Sequence, residues 1–338
     1  ILMPAGKRTL SQWVKFANSL RLRLAIRVSM SAPDLARAEV AKAMDATAGG
    51  VLESADETVA VSTESGYKNP LGTVNEGWGE VFMGATMESV LVGYNDPRLI
   101  KYYSKAEGGD IKDEKGNLII AERNKIAGTY KGVPQGTGVT VKDENRYRLH
   151  SKSTITKQTD AILMTAAEVW FLRAEAALRG FTSENVKDCY EKGITVSCQQ
   201  WGVNVGDYLT SDATPSDYVD AFEAKYDVKA LIKVTPKWDG GASPKEQLER
   251  ILTEKCIACY PEGYEAWTEQ RRTGYPQLFK VFVNNSGGAI DTDIRIRRLP
   301  YPSDIQKNNP TQYSAVKRAL GGEDNGGTRL WWDTGRNF

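Results

Sequence analysis

Two pairs of side chains in this sequence have spacings at which residues do chemistry. Glu265 and Glu269 stand one helical turn apart and are followed by Arg271 and Arg272. Two carboxyls could act as the acid and the nucleophile or base of a glycosidase. An (i, i+4) acidic pair beside arginines equally makes a structural ion network. Cys256-Ile-Ala-Cys259 has the spacing of a redox dithiol or of half a zinc site. A redox pair wants its attacking thiol at the start of a helix. Here Ser243-Pro244-Lys-Glu246 forms a capping box with Pro in the first turn, so the helix starts well upstream of both thiols. Leu248, Ile251, Leu252, Cys256 and Cys259 then share one face, and the thiols read as small buried hydrophobes. Cys189 and Cys198 lie on another helical stretch. A four-thiolate zinc site or two disulfides are the alternative readings of the four cysteines.

Other chemistries lack their parts. The single histidine, His150, falls in Arg146-Tyr-Arg-Leu-His150, read as a strand edge, with no second ligand or base at a useful spacing. It is expected to be structural. Gly136-Thr-Gly138 would need a third glycine for a dinucleotide loop, but Val141 stands there. Asp291-Thr-Asp293 could open a calcium loop, yet its twelfth position is Pro302 instead of glutamate. No G-x-S-x-G elbow or Walker loop appears. No cofactor or metal is therefore expected. Lys and Arg total 44 against 43 Asp and Glu, so no global field draws nucleic acid or anionic membrane. No apolar run approaches the roughly 20 residues that a membrane helix needs.

The elements that position these residues are mostly helices around a long irregular middle, with boundaries at 1–50, 51–160 and 161–338. Thr9 and Gln12 resemble a capping box, followed by a stripe of Trp13, Phe16, Ala17, Leu20, Leu24 and Val28. Arg21, Arg23 and Arg27 between them suit a membrane-surface helix or a face carrying salt bridges. A second helix runs from Pro33 to the Gly49-Gly50 stop, with Leu35, Ala38, Ala41 and Met44 inward. The middle is rich in Gly, Asn, Asp and Pro. It predicts loops, short strands such as Leu118-Ile-Ile120, and one helix near Gly84 to Val92. Its many tyrosines and tryptophans argue against disorder.

Thr165-Ala-Ala-Glu168 caps a further helix with Ala167, Trp170, Phe171, Ala174 and Leu178 buried. Its partner runs from Glu184 to Gln200 with Val186, Tyr190, Ile194 and Ser197 inward. The small residues Ala174, Ala177 and Gly180 give this pair a tetratricopeptide-like character, as one hairpin and not an array. A last helix spans Thr311 to Leu320 and stops at Gly321-Gly322.

Several segments resemble the SusD/RagB-like family. They are Trp13 to Arg27 (W-V-K-F-A-N-S-L-R-L-R-L-A-I-R), Gly93-Tyr-Asn-Asp-Pro-Arg98, Val133-Pro134 and Ala167-Glu-Val-Trp-Phe-Leu-Arg-Ala-Glu-Ala176. Glu262-Gly-Tyr-Glu-Ala-Trp267, Arg271-Arg-Thr-Gly-Tyr-Pro276, Arg298-Leu-Pro-Tyr-Pro302 and Arg329-Leu-Trp-Trp-Asp333 complete the set. The similarity spans essentially the whole chain in the right order. It implies a mainly α fold: one SusD-like domain with an α-superhelical frame, a tetratricopeptide-like hairpin and large irregular loop regions. It also implies that the N-terminal part, with the lipoprotein cysteine and most helical repeats, is missing from this chain.

The function so implied is not enzymatic. Members of the family are lipid-anchored at the cell surface on the outer membrane of Bacteroidetes. They cover a SusC-like TonB-dependent transporter and deliver oligosaccharides, or in some members peptides. A ligand platform is expected in the irregular middle, at Tyr67, Asn75, Trp78 and Tyr94, with Trp201 and Trp238 as outlying candidates. Trp267, Trp331 and Trp332 are assigned to packing. No nucleic-acid partner is expected, and membrane attachment would come only through a lipid anchor outside this chain.

Overall fold

The computed structural model describes residues 9–64, 66–138 and 145–336, so Val141 of the dinucleotide-loop test lies outside the described residues. Helices α1 (Leu10–Arg27) and α2 (Pro33–Ala43) form the first block. Strand β1 (Val59–Val61) leads into a middle that holds α3 (Pro70–Trp78), α4 (Ala85–Gly93), α5 (Leu99–Tyr102), β2 (Ile111–Lys112) and β3 (Leu118–Ile120). β4 (Ala161–Met164) closes the middle by pairing antiparallel with β1, Val59 opposite Met164. β2 pairs with β3 as a separate ladder. Then come α6 (Ala166–Leu178), α7 (Val186–Gln200), α8 (Pro244–Ala258), α9 (Gly263–Thr273), α10 (Ser303–Asn308) and α11 (Pro310–Leu320).

Helix starts fall where the side-chain caps stand. Thr9 and Thr165 accept the Gln12 and Glu168 N–H groups at 3.2 and 3.0 Å, and Ser243 with Glu246 makes the full capping box. Left-handed Gly321 ends α11 as expected. The hairpin of α6 and α7 is the hub, and α8 and α1 pack on α6. A close approach within the hairpin falls at a small residue outside the predicted set. Gly180 (φ 67°) is the left-handed stop after α6, whereas Gly193 of α7 lies against Phe171, whose ring a Cβ would meet at 2.8 Å.

The buried faces of α1 and α2 are rotated from the predicted ones. Ser19, Leu22, Ala25 and Ile26 of α1 are buried, while Trp13, Ala17 and Leu24 are exposed. In α2, Ala36, Val40 and Ala43 point inward, Leu35 is exposed and the helix ends at Ala43, short of Gly49. Apolar residues occupy more than one face of each helix, so periodicity alone does not choose. Ser19 is inside because its hydroxyl donates to the Lys15 carbonyl at 2.7 Å and accepts the Leu52 N–H at 2.9 Å. The α1 arginines take the ion-pair alternative: Arg21 with Glu39, Arg23 with Glu168, Arg27 with Glu265.

The middle contains more helix than its composition predicts. α3 holds two glycines and has poor propensity. It forms because Asn69 accepts the Leu71 N–H at 3.0 Å, and because Gly72 lies where any Cβ would sit 2.1 Å from the Thr156 carbonyl. α5 is fixed by its neighbour Arg98, which is fully buried. That guanidinium grips Asp96 through two nitrogens at 2.9 and 2.6 Å and reaches Glu254 of α8 at 2.7 Å. The Tyr208 hydroxyl donates to Glu254 at 2.7 Å and lies 2.9 Å from Asp96. Beside it Tyr102 stacks on Tyr260 at 4.3 Å and meets Trp201 edge-on at 4.8 Å. His150 lies at the end of a turn instead of a strand edge, and is 2% exposed.

Candidate functional site

The carboxylate pair on α9 is a strut. Glu265 and Glu269 are buried, with the Lys255 ammonium 3.1 and 3.5 Å away. Arg272 holds both oxygens of Glu175 at 2.7 Å and pairs with Glu269. Burial pushes the Glu269 carboxyl up, but Arg272 and Lys255 outweigh it and hold the group well below the usual range. Glu265 is likewise lowered: Lys255, Arg27 and Arg23 overcome burial, against Glu269. A glycosidase acid must keep its proton near neutral pH, whereas both carboxyls here are held toward the ionised form.

The four cysteines are free thiols. Burial raises Cys189, Cys198 and Cys256 to about 11, and Cys259 is raised too, which suits packing instead of ligation. Among the described residues no cluster of His, Cys, Asp and Glu could hold a metal.

The predicted platform divides. Trp78, the last residue of α3, is 61% exposed, and Tyr67, just ahead of that helix, is 37% exposed. Asn75 shares α3 with Trp78 but faces the protein, donating to the Ser153 and Ile155 carbonyls at 2.7 and 2.9 Å. Tyr94 is turned into the core, its hydroxyl donating to the Val234 carbonyl at 2.6 Å. Tyr102, Tyr103 and Tyr147 are buried as well. Trp201 packs on Tyr102, and Trp238 lies 5.2 Å from the Tyr190 ring.

A second aromatic surface was assigned to packing on sequence grounds. Half-buried Trp267 separates two clefts. One, of about 580 Å³, lies between α9 and the start of α3, with Asn69, Leu71, Ile162 and Tyr264 in its walls. The other, of about 540 Å³, is lined by Gln135, Gln270, Asn284, Asn285, Ser286, Asp291, Thr292 and Arg295 among apolar side chains, so one carboxylate and one guanidinium share its wall. Tyr264 is 72% exposed, its ring 6.5 Å from Trp267 and steeply inclined to it. Trp267 is fixed from behind, its Nε1 donating to the Ile296 carbonyl at 3.1 Å and its ring lying 3.6 Å from the Arg271 guanidinium. Trp332 also faces Arg271, at 5.1 Å, but Trp331 is 69% exposed and not packed as expected. The available signal was the polar run Asn284-Asn285-Ser286, near an aspartate pair weighed only for calcium.

A rigid indole between amides, hydroxyls and a guanidinium suits a ligand that presents both C–H faces and hydroxyls. The chain matches the SusD-like family model, described as Susd and RagB outer membrane lipoprotein, over residues 5–333. A SusD homologue from Bacteroides vulgatus is 51% identical, with a TM-score of 0.88 over 98% of this chain and 64% of that one. A chitin-binding SusD homologue from Flavobacterium johnsoniae is 36% identical, with a TM-score of 0.86 over 97% and 65%. A SusD homologue from Bacteroides thetaiotaomicron is 33% identical, with a TM-score of 0.82 over 96% and 66%. The chain thus spans just under two thirds of the length of these structures. No curated protein matches the sequence.

Proposed function

Because the chain belongs to the SusD-like family of outer membrane lipoproteins, we propose that it binds oligosaccharides at the cell surface without altering them and passes them to a TonB-dependent transporter. The observation that carries this reading is the pair of clefts meeting at Trp267. Their aromatic wall can cover the apolar face of a sugar ring while Asn285, Gln270 and Thr292 receive its hydroxyls. Trp78 and Tyr67 add exposed ring surface at the two ends of α3, with Asn75 anchoring that helix to the Ser153 and Ile155 carbonyls and Tyr94 bracing the core through the Val234 carbonyl. The chitin-binding relative supports the same ligand class. Among the described residues no helix is long and apolar enough to cross a membrane, which fits attachment through a lipid. Capture followed by release calls for modest affinity, about −4 to −8 kcal/mol, or millimolar to micromolar.

Isothermal titration against a panel of oligosaccharides tests this. Tyr264→Ala and Trp78→Ala leave the core intact, and each should weaken the best ligand by about tenfold, a loss of about 1.4 kcal/mol. A panel that binds neither the parent nor any variant, while peptides do bind, would replace the reading with a peptide receptor.

A further inference from the structure

Behind the Trp267 cleft lies a cavity of about 290 Å³ lined by Arg271, Arg272, Arg295, Arg297 and Arg329, with Asp293 the one carboxylate in its wall. The two spaces are continuous in their lining, since Gln270, Leu278 and Arg295 belong to both. The arginines are unequally neutralised. Arg272 is held by Glu175 and Glu269. Arg297 and Arg329 share the single carboxylate of Asp333. Among the described residues Arg271 donates only to the Arg297 carbonyl at 2.6 Å and the Thr268 hydroxyl at 3.0 Å. Arg295 reaches the Gln135 amide oxygen at 2.8 Å and the Leu278 carbonyl at 2.9 Å, with Phe279 O beside it. Among the described residues neither of these two forms an ion pair, and the Nε of Arg271, a residue 7% exposed, has no hydrogen-bond partner.

We propose that the Trp267 cleft takes an acidic oligosaccharide whose carboxylate or sulfate group sits among Arg271, Arg295, Arg297 and Arg329. This rests on the oligosaccharide reading above and specifies its substrate class. A planar guanidinium pairs with either anion through two parallel N–H donors. The space holds such a group with several waters, each occupying about 30 Å³. Burial, with Arg297 and Arg27 nearby, pulls Arg271 down to about 10, and burial lowers Arg295 and Arg297 as well. A bound anion would relieve all three.

The test is titration of the intact chain with trigalacturonate, a sulfated chondroitin tetrasaccharide and neutral chitotetraose, at low and high salt. The expected result is that one acidic ligand binds at least about tenfold tighter than the neutral one. That preference should shrink in 0.5 M salt. It should also shrink in Arg329→Gln, a half-exposed position outside the cleft shared with the sugar. The carboxylate and sulfate arms tell the two anions apart. Neutral binding equal to or tighter than acidic binding overturns this inference and leaves the oligosaccharide reading standing. No binding of any glycan overturns both. Binding of a peptide with a free C-terminal carboxylate but not of its amidated twin, without acidic-glycan binding, assigns the arginines to peptides and overturns it too.

Discussion

Arg98 and Arg271 are both buried, and the protein treats them in opposite ways. Arg98 lies between two carboxylates, Asp96 and Glu254, with Tyr208 and Ser197 taking up the remaining donor and acceptor capacity. Arg271 lies against Trp267, faces Trp332 and meets carbonyl and hydroxyl oxygens, with no carboxylate in salt-bridge range among the described residues. A fully compensated charge fastens elements together, here the loop before α5 to α7 and α8. An uncompensated one beside a cavity is costly unless something else completes it. His150 follows a third course and gives up its charge: packed on Tyr147 and Phe222, with neither ring nitrogen hydrogen-bonded among the described residues, it is pushed down to about 3 by burial, with Lys131 adding to the effect.

The sharpest way to break this contrast is Arg98→Met. It leaves Asp96 and Glu254 buried and facing each other, and should cost about 3–5 kcal/mol in urea unfolding. A loss below about 1 kcal/mol would show that the site does not fasten the frame. The next effect belongs to His150, whose ordinary value is 6.5 and whose folded value is about 3. The unfolded chain takes up the proton first, so this contribution is complete above pH 6.5 and is lost as pH falls toward 3. Stability should drop by up to about 1.4 kcal/mol per pH unit in that window relative to His150→Phe. Parallel pH profiles for the two proteins would refute a neutral buried imidazole. The smallest effect is expected for Arg271→Met. No carboxylate is stranded, so only two hydrogen bonds and the contacts with the Trp267 and Trp332 rings are lost, about 1–2 kcal/mol. A loss as large as that of Arg98→Met would erase the distinction.

Local signals carried much of the frame. Thr9, Thr165 and Ser243 cap helices where their spacing placed them, and the Leu248–Ile251–Leu252 stripe is buried as its period requires. Those are interactions within a few residues, and sequence states them directly. The α1 face was misassigned because which apolar side wins depends on Leu52, Glu168 and Glu265, all distant in sequence. α3 was missed because Gly72 lowers helix propensity while permitting the contact with Thr156 that forms the helix. For the candidate site, Trp78 and Tyr67 were reachable as aromatics beside turn residues, and both are exposed. Tyr94 was not separable from them, since its burial follows from the Val234 carbonyl far along the chain. Trp267 carries both roles at once: one edge is tied to Ile296 while the ring walls two clefts, so assigning it to packing caught half its surroundings.

The β1–β4 ladder brings both ends of the middle segment to one place, Val59 beside Met164, and Arg98 pins that segment near its centre. The two halves of that segment are laced together, Phe82 bridging Lys152, Gly84 bridging Val133 and Gly72 lying against Thr156. A change of length in one half is therefore felt by the other, and only an insertion that keeps these contacts in register spares the helices outside. Sequence change in this part of the molecule is thus expected as paired substitutions across the contacts, and seldom as inserted residues.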